Sequence, residues 1–158
     1  PPVDTPPAQP PVDTPPAQPP VDTPPAQPPV DTPPVKADTP LGTTVGRGEC
    51  TDWALDRRPD LAGTVNGNAQ AWADEARAAG RPMSKTPSEG NLMVLQGGVM
   101  GAGGATGHVA YVESVQRDAN GNPTSFTISE QNWNGSKAST SRTIPVSDLP
   151  ANGVDFIG

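Results

Sequence analysis

The chain has few of the residue types that mark several common protein classes. Its 158 residues include one cysteine, one histidine, three Trp, two Phe and one Tyr. A single cysteine excludes an intramolecular disulfide and the multi-cysteine zinc or iron–sulfur sites. The apolar runs are only a few residues long, and no signal peptide is visible, so the sequence predicts no membrane span.

Positive charge is also scarce. Lys and Arg together number 10 against 17 Asp and Glu, for a net charge of −7. The acids outnumber the bases both in residues 1–40 and in residues 41–158. Because no basic patch or stripe is present, we expect no nucleic-acid partner.

Proline is plentiful and divides the chain. The unit PPVDTPPAQ starts at residues 1, 10 and 19, and the variant PPVDTPPVK follows. Proline fixes φ and removes a backbone donor, so residues 1–40 are expected to be an extended polyproline linker that reaches roughly 110 Å. Because the sequence begins inside a repeat, we expect further sequence upstream, and the linker would connect the domain to that sequence or to a protein partner. A role as ligand for an SH3-type groove is less favoured, because the first three repeats lack flanking basic residues.

Residues 41–158 fit one small domain. Two helices are predicted near its start: residues 50–57, which end before Pro59, and residues 69–79, with Asn68 as the cap and Gly80 as the exit. Trp53 is expected in the core, together with a stripe on the second helix that contains Trp72, Ala76 and Ala79.

Strand patterns follow the helices. They cover residues 91–96, 108–116, 124–133, 140–146 and 154–158. Helices that precede a run of strands favour an α+β fold, with the helices packed on an antiparallel sheet.

The second and third of these strands should form a hairpin. Asn120-Gly121 is a strong two-residue turn signal, and such a turn would pair Glu130 with Tyr111 and bring Asn132 beside His108. A histidine, a carboxylate and an amide would then meet at one end of a strand pair.

This grouping suits thiol chemistry. An imidazole can accept a thiol proton if a hydrogen-bond acceptor holds its other nitrogen, and Glu130 or Asn132 could serve as that acceptor. Cys50 in the first turn of a helix would have its thiolate favoured by the helix dipole. Taken alone, however, Cys50 could equally be a buried structural thiol, and His108 a satisfied strand-end histidine.

Four blocks favour the catalytic interpretation. GECTDWALDRRPDL, GNAQAWADEARAAG, TGHVAYVE and ISEQNW resemble, in order, the motifs of the CHAP family of cysteine, histidine-dependent amidohydrolases and peptidases, over roughly residues 46–158. The resemblance implies a papain-like fold in which Cys50 is the nucleophile, His108 the general base and acid, and Glu130 the residue that orients His108. It also implies that Asn132 is a second support for the imidazole.

Position 49 departs from the family pattern, since a Gln is common there and this chain has Glu49, to which we assign no oxyanion role. The acids of the calcium loop found in some phage members are missing as well, so we predict no metal and no cofactor. The glycine-rich stretch 97–107 is expected to border the cleft, which makes Gly107 and Trp133 candidates for substrate binding.

The resemblance predicts a peptidoglycan hydrolase that acts through an acyl-enzyme on Cys50. It would be either an N-acetylmuramoyl-L-alanine amidase or an endopeptidase of the stem peptide or cross-bridge, and the sequence does not choose between them. We expect a bacteriolytic monomer outside the cytoplasm, whether secreted, in the cell wall or periplasm, or delivered by a phage or secretion system. The alternative is a non-catalytic cell-wall binding or surface-antigen module on the same fold. Hydrolysis of a glutathione-type conjugate is less favoured.

Overall fold

The computed structural model describes residues 48–158. The predicted linker, its repeats and the domain boundary at residue 41 lie outside the described residues and stay predictions. The helices are α1 (Cys50–Arg57) and α2 (Trp72–Ala78). The strands are β1 (Met83–Ser84), β2 (Leu92–Leu95), β3 (His108–Arg117), β4 (Pro123–Gln131), β5 (Ser139–Pro145) and β6 (Val154–Ile157).

Helix α1 has the bounds that the sequence predicts. Glu49 is extended, with φ −101° and ψ 154°, and its carbonyl accepts the first helical hydrogen bond from the N–H of Trp53. The helix ends at Arg57 because Pro59 cannot continue it. Trp53 is buried, as expected. The first residue of α1 is therefore Cys50.

The second helix differs from its prediction. A short 3₁₀ turn, Ala69–Ala71, precedes α2, and Asn68 makes no side-chain capping hydrogen bond. Trp72 and Ala76 are buried as expected, but Ala79 is exposed and the prediction for it is wrong. The helix ends at Ala78, so Ala79 lies beyond the regular spacing that would have turned it to the core.

The strands form one antiparallel sheet in the order β1-β6-β2-β3-β4-β5. One hydrophobic cluster joins both helices to alternate residues of the sheet, among them Leu92 and Val109. A second cluster lies on the other face, where Phe126 of β4 meets Phe156 of β6 edge-on at 5.6 Å. The fold is thus a mixture of helix and antiparallel sheet.

The turn of the β3–β4 hairpin is one residue longer than predicted. Asp118 donates its N–H to the carbonyl of Asn122 and accepts a hydrogen bond from the N–H of Gly121, which leaves residues 119–121 as a three-residue loop. Gly121 has φ +83°, as the left-handed last position of such a loop requires.

This loop length changes the strand register. Tyr111 pairs with Ser129, and the predicted pairing of Tyr111 with Glu130 is wrong. Irregularities at Val112/Ser114 and at Gln116/Arg117 add one extra residue to each strand, so they offset each other. Directly paired residues share a face, so this register turns Glu130 away from Tyr111 and toward the face that carries His108.

Candidate active site

Cys50 opens α1 at the edge of a cleft of about 510 Å³. Its thiol is free and half-buried, and it packs against the hydrophobic cluster beneath the helices. The cleft walls come from four segments: the start of α1, residues 67–69 ahead of α2, the glycine-rich loop that leads into β3, and the loop after β4. His108 lines the same cleft, so the only thiol and the only imidazole of the chain share one cavity.

His108 is the first residue of β3 and is only 4% exposed. Its Nε2 lies 2.8 Å from Oε2 of Glu130, and Cys50 lies close enough to the ring to affect its pKa. Burial lowers the pKa of His108, but the hydrogen bonds and charges of Cys50 and Glu130 outweigh burial and raise the pKa above its ordinary value. With Nε2 donating to the carboxylate, Nδ1 is left to face the thiol.

Glu130 is fully buried. Arg142 donates from Nε to Oε1 at 2.7 Å and from Nη2 to Oε2 at 3.3 Å. Burial raises the pKa of Glu130, but the hydrogen bonds from His108 and Arg142 lower it further than burial raises it. Glu130 is therefore an ionised carboxylate at neutral pH that can hold the His108 ring in one orientation.

Trp133 covers the other side of this group. Its ring meets His108 edge-on, with centroids 4.9 Å apart, and the guanidinium of Arg142 lies 3.8 Å above its centre. The indole also lines the cleft. It lies where a substrate contact is possible, and its predicted role in substrate binding stays a prediction.

Asn132 lies just past the end of β4 in the left-handed region, with φ 57° and ψ 35°. Its Nδ2 donates to Oε2 of Glu49 at 2.6 Å, and its side chain lines the cleft. The structure thus gives Asn132 a partner that sequence reasoning did not foresee. Its predicted support of the His108 ring stays a prediction.

Glu49 occupies the rim of the cleft directly before Cys50. Its carboxylate also accepts a hydrogen bond from the ammonium group of Lys137. The hydrogen bonds from Lys137 and then Asn132 lower the pKa of Glu49, so the side chain is ionised at neutral pH. Neither contact was predicted. Asn132 and Lys137 lie 83 and 88 positions further along the chain, which is too far for a local sequence pattern to relate them to Glu49.

Gly107 packs tightly where the chain enters β3. A Cβ at this position would lie 2.3 Å from the carbonyl oxygen of Leu95 and 2.8 Å from Cβ of Gln70, and its φ is +66°. Only glycine fits this backbone, which delivers His108 to the cleft. Gly107 lines the cleft as expected, and its predicted contact with substrate stays a prediction.

Sequence reasoning missed Arg142. The strand that carries Arg142 was predicted, but the pairing of that strand with β4 was not. Arg142 pairs with Ile128, and Glu130 pairs with Thr140, so Arg142 lies diagonally across from Glu130 on the same face. Counting one strand further would have found this contact.

Residues 48–158 also have two features that concern metal binding and membrane spanning. Within that range, no group of three or more His, Cys, Asp or Glu side chains could hold a metal ion. No helix there is long and apolar enough to cross a membrane.

A helix-borne thiol, a buried imidazole and an ionised carboxylate form the arrangement that thiol-dependent hydrolases use, in which a base is oriented by a third group. The profile of the CHAP domain matches residues 41–132. The chain belongs to the CHAP family.

Several known proteins are similar to this chain. The staphylococcal secretory antigen ssaA2 of Staphylococcus aureus is 41% identical over 122 residues, which cover 73% of this chain and 41% of the antigen. The probable autolysin LDP of the same species is 39% identical over 106 residues, or 65% of this chain and 34% of the autolysin. The crystal structure of an N-acetylmuramoyl-L-alanine amidase from Staphylococcus aureus matches with a TM-score of 0.56 and 32% identity, over 70% of this chain and 30% of that one. The chain thus spans less than half the length of each.

Proposed function

We propose that this chain is a peptidoglycan hydrolase that cleaves an amide bond through an acyl-enzyme on Cys50. One observation carries the proposal: the thiol of Cys50 and the ring of His108 share a single cleft, and Nε2 of His108 lies 2.8 Å from the buried carboxylate of Glu130. The names of the similar proteins, an autolysin and an N-acetylmuramoyl-L-alanine amidase, support peptidoglycan as the substrate. We also propose that the fold is papain-like, with the helix that carries Cys50 packed against one face of the sheet.

Acylation begins with the transfer of the thiol proton to Nδ1 of His108. The sulfur then attacks the carbonyl carbon of the amide, and the carbonyl oxygen takes the electron pair of the broken π bond. The backbone N–H of Cys50, the first in α1, has no carbonyl partner within the helix and is available to this oxyanion. When the intermediate collapses, the C–N bond breaks and the leaving amine takes the proton from His108.

Deacylation reverses these roles. His108 removes a proton from water, the hydroxide attacks the thioester carbonyl, and the C–S bond breaks. The thiolate recovers the proton from His108, and a free carboxylate leaves. Glu130 stays ionised throughout, because its part is to hold the ring and stabilise its charged form.

The remaining roles are also proposals. Asn132 and Trp133 form the wall of the cleft beside His108, and the glycine-rich loop that ends at Gly107 forms another part of the lining. The glycines of the lining leave backbone groups accessible, which suits an extended peptide. We further propose that the protein acts outside the cytoplasm as a monomer and that the proline-rich segment tethers the catalytic domain.

Digestion of purified sacculi tests the function. The wild-type chain should release soluble fragments, and Cys50→Ala and His108→Ala should each abolish the release. Mass spectrometry of the products then identifies the bond, because an amidase frees the muramic acid from the peptide whereas an endopeptidase leaves them joined. Release that continues undiminished in both variants would refute the assignment.

A non-catalytic wall-binding or antigen module is the second candidate, since one relative is named a secretory antigen. Wall binding by such a module would not require an activated thiol. Iodoacetamide should alkylate Cys50 at pH 6 much faster than it alkylates a model thiol if the site is catalytic. An inert thiol together with sacculus binding by Cys50→Ala would favour the module.

A further inference from the structure

Glu49, the residue before the nucleophile, hydrogen-bonds to the loop that packs on His108. Nδ2 of Asn132 donates to Oε2 of Glu49 at 2.6 Å, and both residues line the cleft. We refer to this contact as the Glu49–Asn132 bridge. It is charge-assisted, because the partner amide faces a carboxylate that Lys137 also contacts.

The backbone at Asn132 turns the chain out of the sheet. Strand β4 ends at Gln131, and Asn132 has φ 57°, a left-handed conformation that asparagine adopts more readily than most residues with a side chain. The next residue, Trp133, packs against the His108 ring. Whatever holds Asn132 in place therefore also places the indole on the imidazole.

At the other end of the bridge, Glu49 is the N-cap residue of α1. Its carbonyl accepts the N–H of Trp53, and its peptide bond leads directly to Cys50. The bridge thus links the start of the nucleophile's helix to the loop on the base, across 83 positions of sequence. Because an ionised carboxylate accepts hydrogen bonds and donates none, Glu49 cannot itself stabilise an oxyanion.

We propose that the Glu49–Asn132 bridge is a positioning contact that sets Cys50 against the His108 ring. The inference rests on the proposed function, but the alignment of Cys50 with His108 can be tested by thiol reactivity alone. Glu49 acts through Asn132 and Trp133 and touches no reacting atom, so it is a positioning residue.

Reversing the bridge is the sharpest test. Asn132→Asp places two carboxylates face to face, so they repel and the bridge breaks. Glu49→Gln keeps an acceptor oxygen for Asn132 and preserves the bridge. In the double variant Glu49→Gln/Asn132→Asp, the glutamine amide donates to the new carboxylate, and the bridge forms in the opposite direction.

Two measurements are made for each variant. The first is the rate at which iodoacetamide alkylates Cys50, and the second is the kinetics of fragment release from sacculi, which give kcat and KM. We expect Asn132→Asp to lower the alkylation rate and kcat by about tenfold or more, because the reacting groups lose their alignment. The double variant should recover to within about threefold of wild type. Glu49→Gln alone should stay in that range.

The control is Asp148→Asn, which removes an exposed carboxylate outside the cleft and should leave both rates unchanged. If Asn132→Asp does not fold, Glu49→Ala removes the acceptor without adding a charge and should lower both rates at least about fivefold. A double variant as slow as Asn132→Asp, or Glu49→Ala indistinguishable from the control, overturns the inference. Failure of the wild type to digest sacculi would instead refute the proposed function, and the alkylation rates would still test the bridge.

Discussion

The two ends of the β3–β4 hairpin hold similar groups in different surroundings. At the turn, Asp118 accepts hydrogen bonds from the N–H groups of Asn120 at 2.8 Å and Asn122 at 2.9 Å. At the other end, Glu130 accepts from His108 and Arg142. Both carboxyls have a lowered pKa, yet the first is fully exposed and the second is fully buried.

This difference shows how burial changes the consequence of the same hydrogen bonds. If Asp118 is removed, water replaces it at once, because its partners are at the surface. If Glu130 is removed, a guanidinium and an imidazole lose their partner where water has little access, and the remaining charge is poorly solvated. The hairpin therefore tolerates change at its turn and not at its cleft end.

The largest expected effect comes from Glu130→Ala. The loss of a buried charge partner should lower the free energy of unfolding by about 3–5 kcal/mol. Fragment release should fall by roughly 10²–10⁴-fold, because His108 loses the group that orients it. Chemical denaturation and sacculus digestion measure the two losses, and a variant with near wild-type release would contradict the role of Glu130.

A pair of glycines gives the next contrast. Gly107 and Gly121 both have positive φ, so an alanine at either position is strained by roughly 1–2 kcal/mol. Only at Gly107 would the added Cβ also meet backbone, whereas nothing lies within 4 Å of it at Gly121. Gly107→Ala should therefore cost a further 1–3 kcal/mol or so, which thermal unfolding of the two variants would measure. Equal losses in the two would show that the cleft end is no more tightly packed than the turn.

Two arginines extend the comparison. Arg142→Met removes the cation from Glu130, so the pKa of Glu130 rises and the carboxylate becomes protonated at a higher pH. The acid limb of the activity profile should move upward, with a loss of about tenfold near pH 6 and less near pH 8.

Arg117→Met is the matched control, because within residues 48–158 the side chain of Arg117 donates only to the carbonyl of Gly121 at the turn. Its profile should overlay that of the wild type. An unshifted acid limb in Arg142→Met would mean that Arg142 does not hold Glu130 ionised.

The smallest effect is expected for Asp118→Asn. A carboxyl whose pKa is lowered by folding stabilises the protein above its ordinary pKa, and that contribution disappears as the pH falls through the lowered value. For the exposed Asp118 the contribution is small, so melting temperatures of variant and wild type should nearly coincide at pH 7 and converge further by pH 3. Digestion rates should not differ, and a loss of digestion would show that the two ends are coupled.

Much of the site could be predicted from residue types and motif order. The helix that starts at Cys50 and the strand that starts at His108 have the predicted first residues, because the helical and strand patterns begin there. Glu130 does contact His108, although the strand register predicted for it is wrong, and its role in catalysis stays a prediction. The contacts of Arg142 could not be assigned without the pairing of a third strand.

The amino-acid sequence by itself determined which chemical groups this domain has available: one thiol at a helix start, one imidazole at a strand start, and a carboxylate near the end of the next strand. Tertiary structure alone decided that they face one another. Side chains of a strand alternate between two faces, so the single additional residue in the 119–121 loop is enough to turn Glu130 from the wrong face to that of His108. The Glu49–Asn132 bridge likewise exists only because folding joins residues too far apart in sequence for any local pattern to relate them.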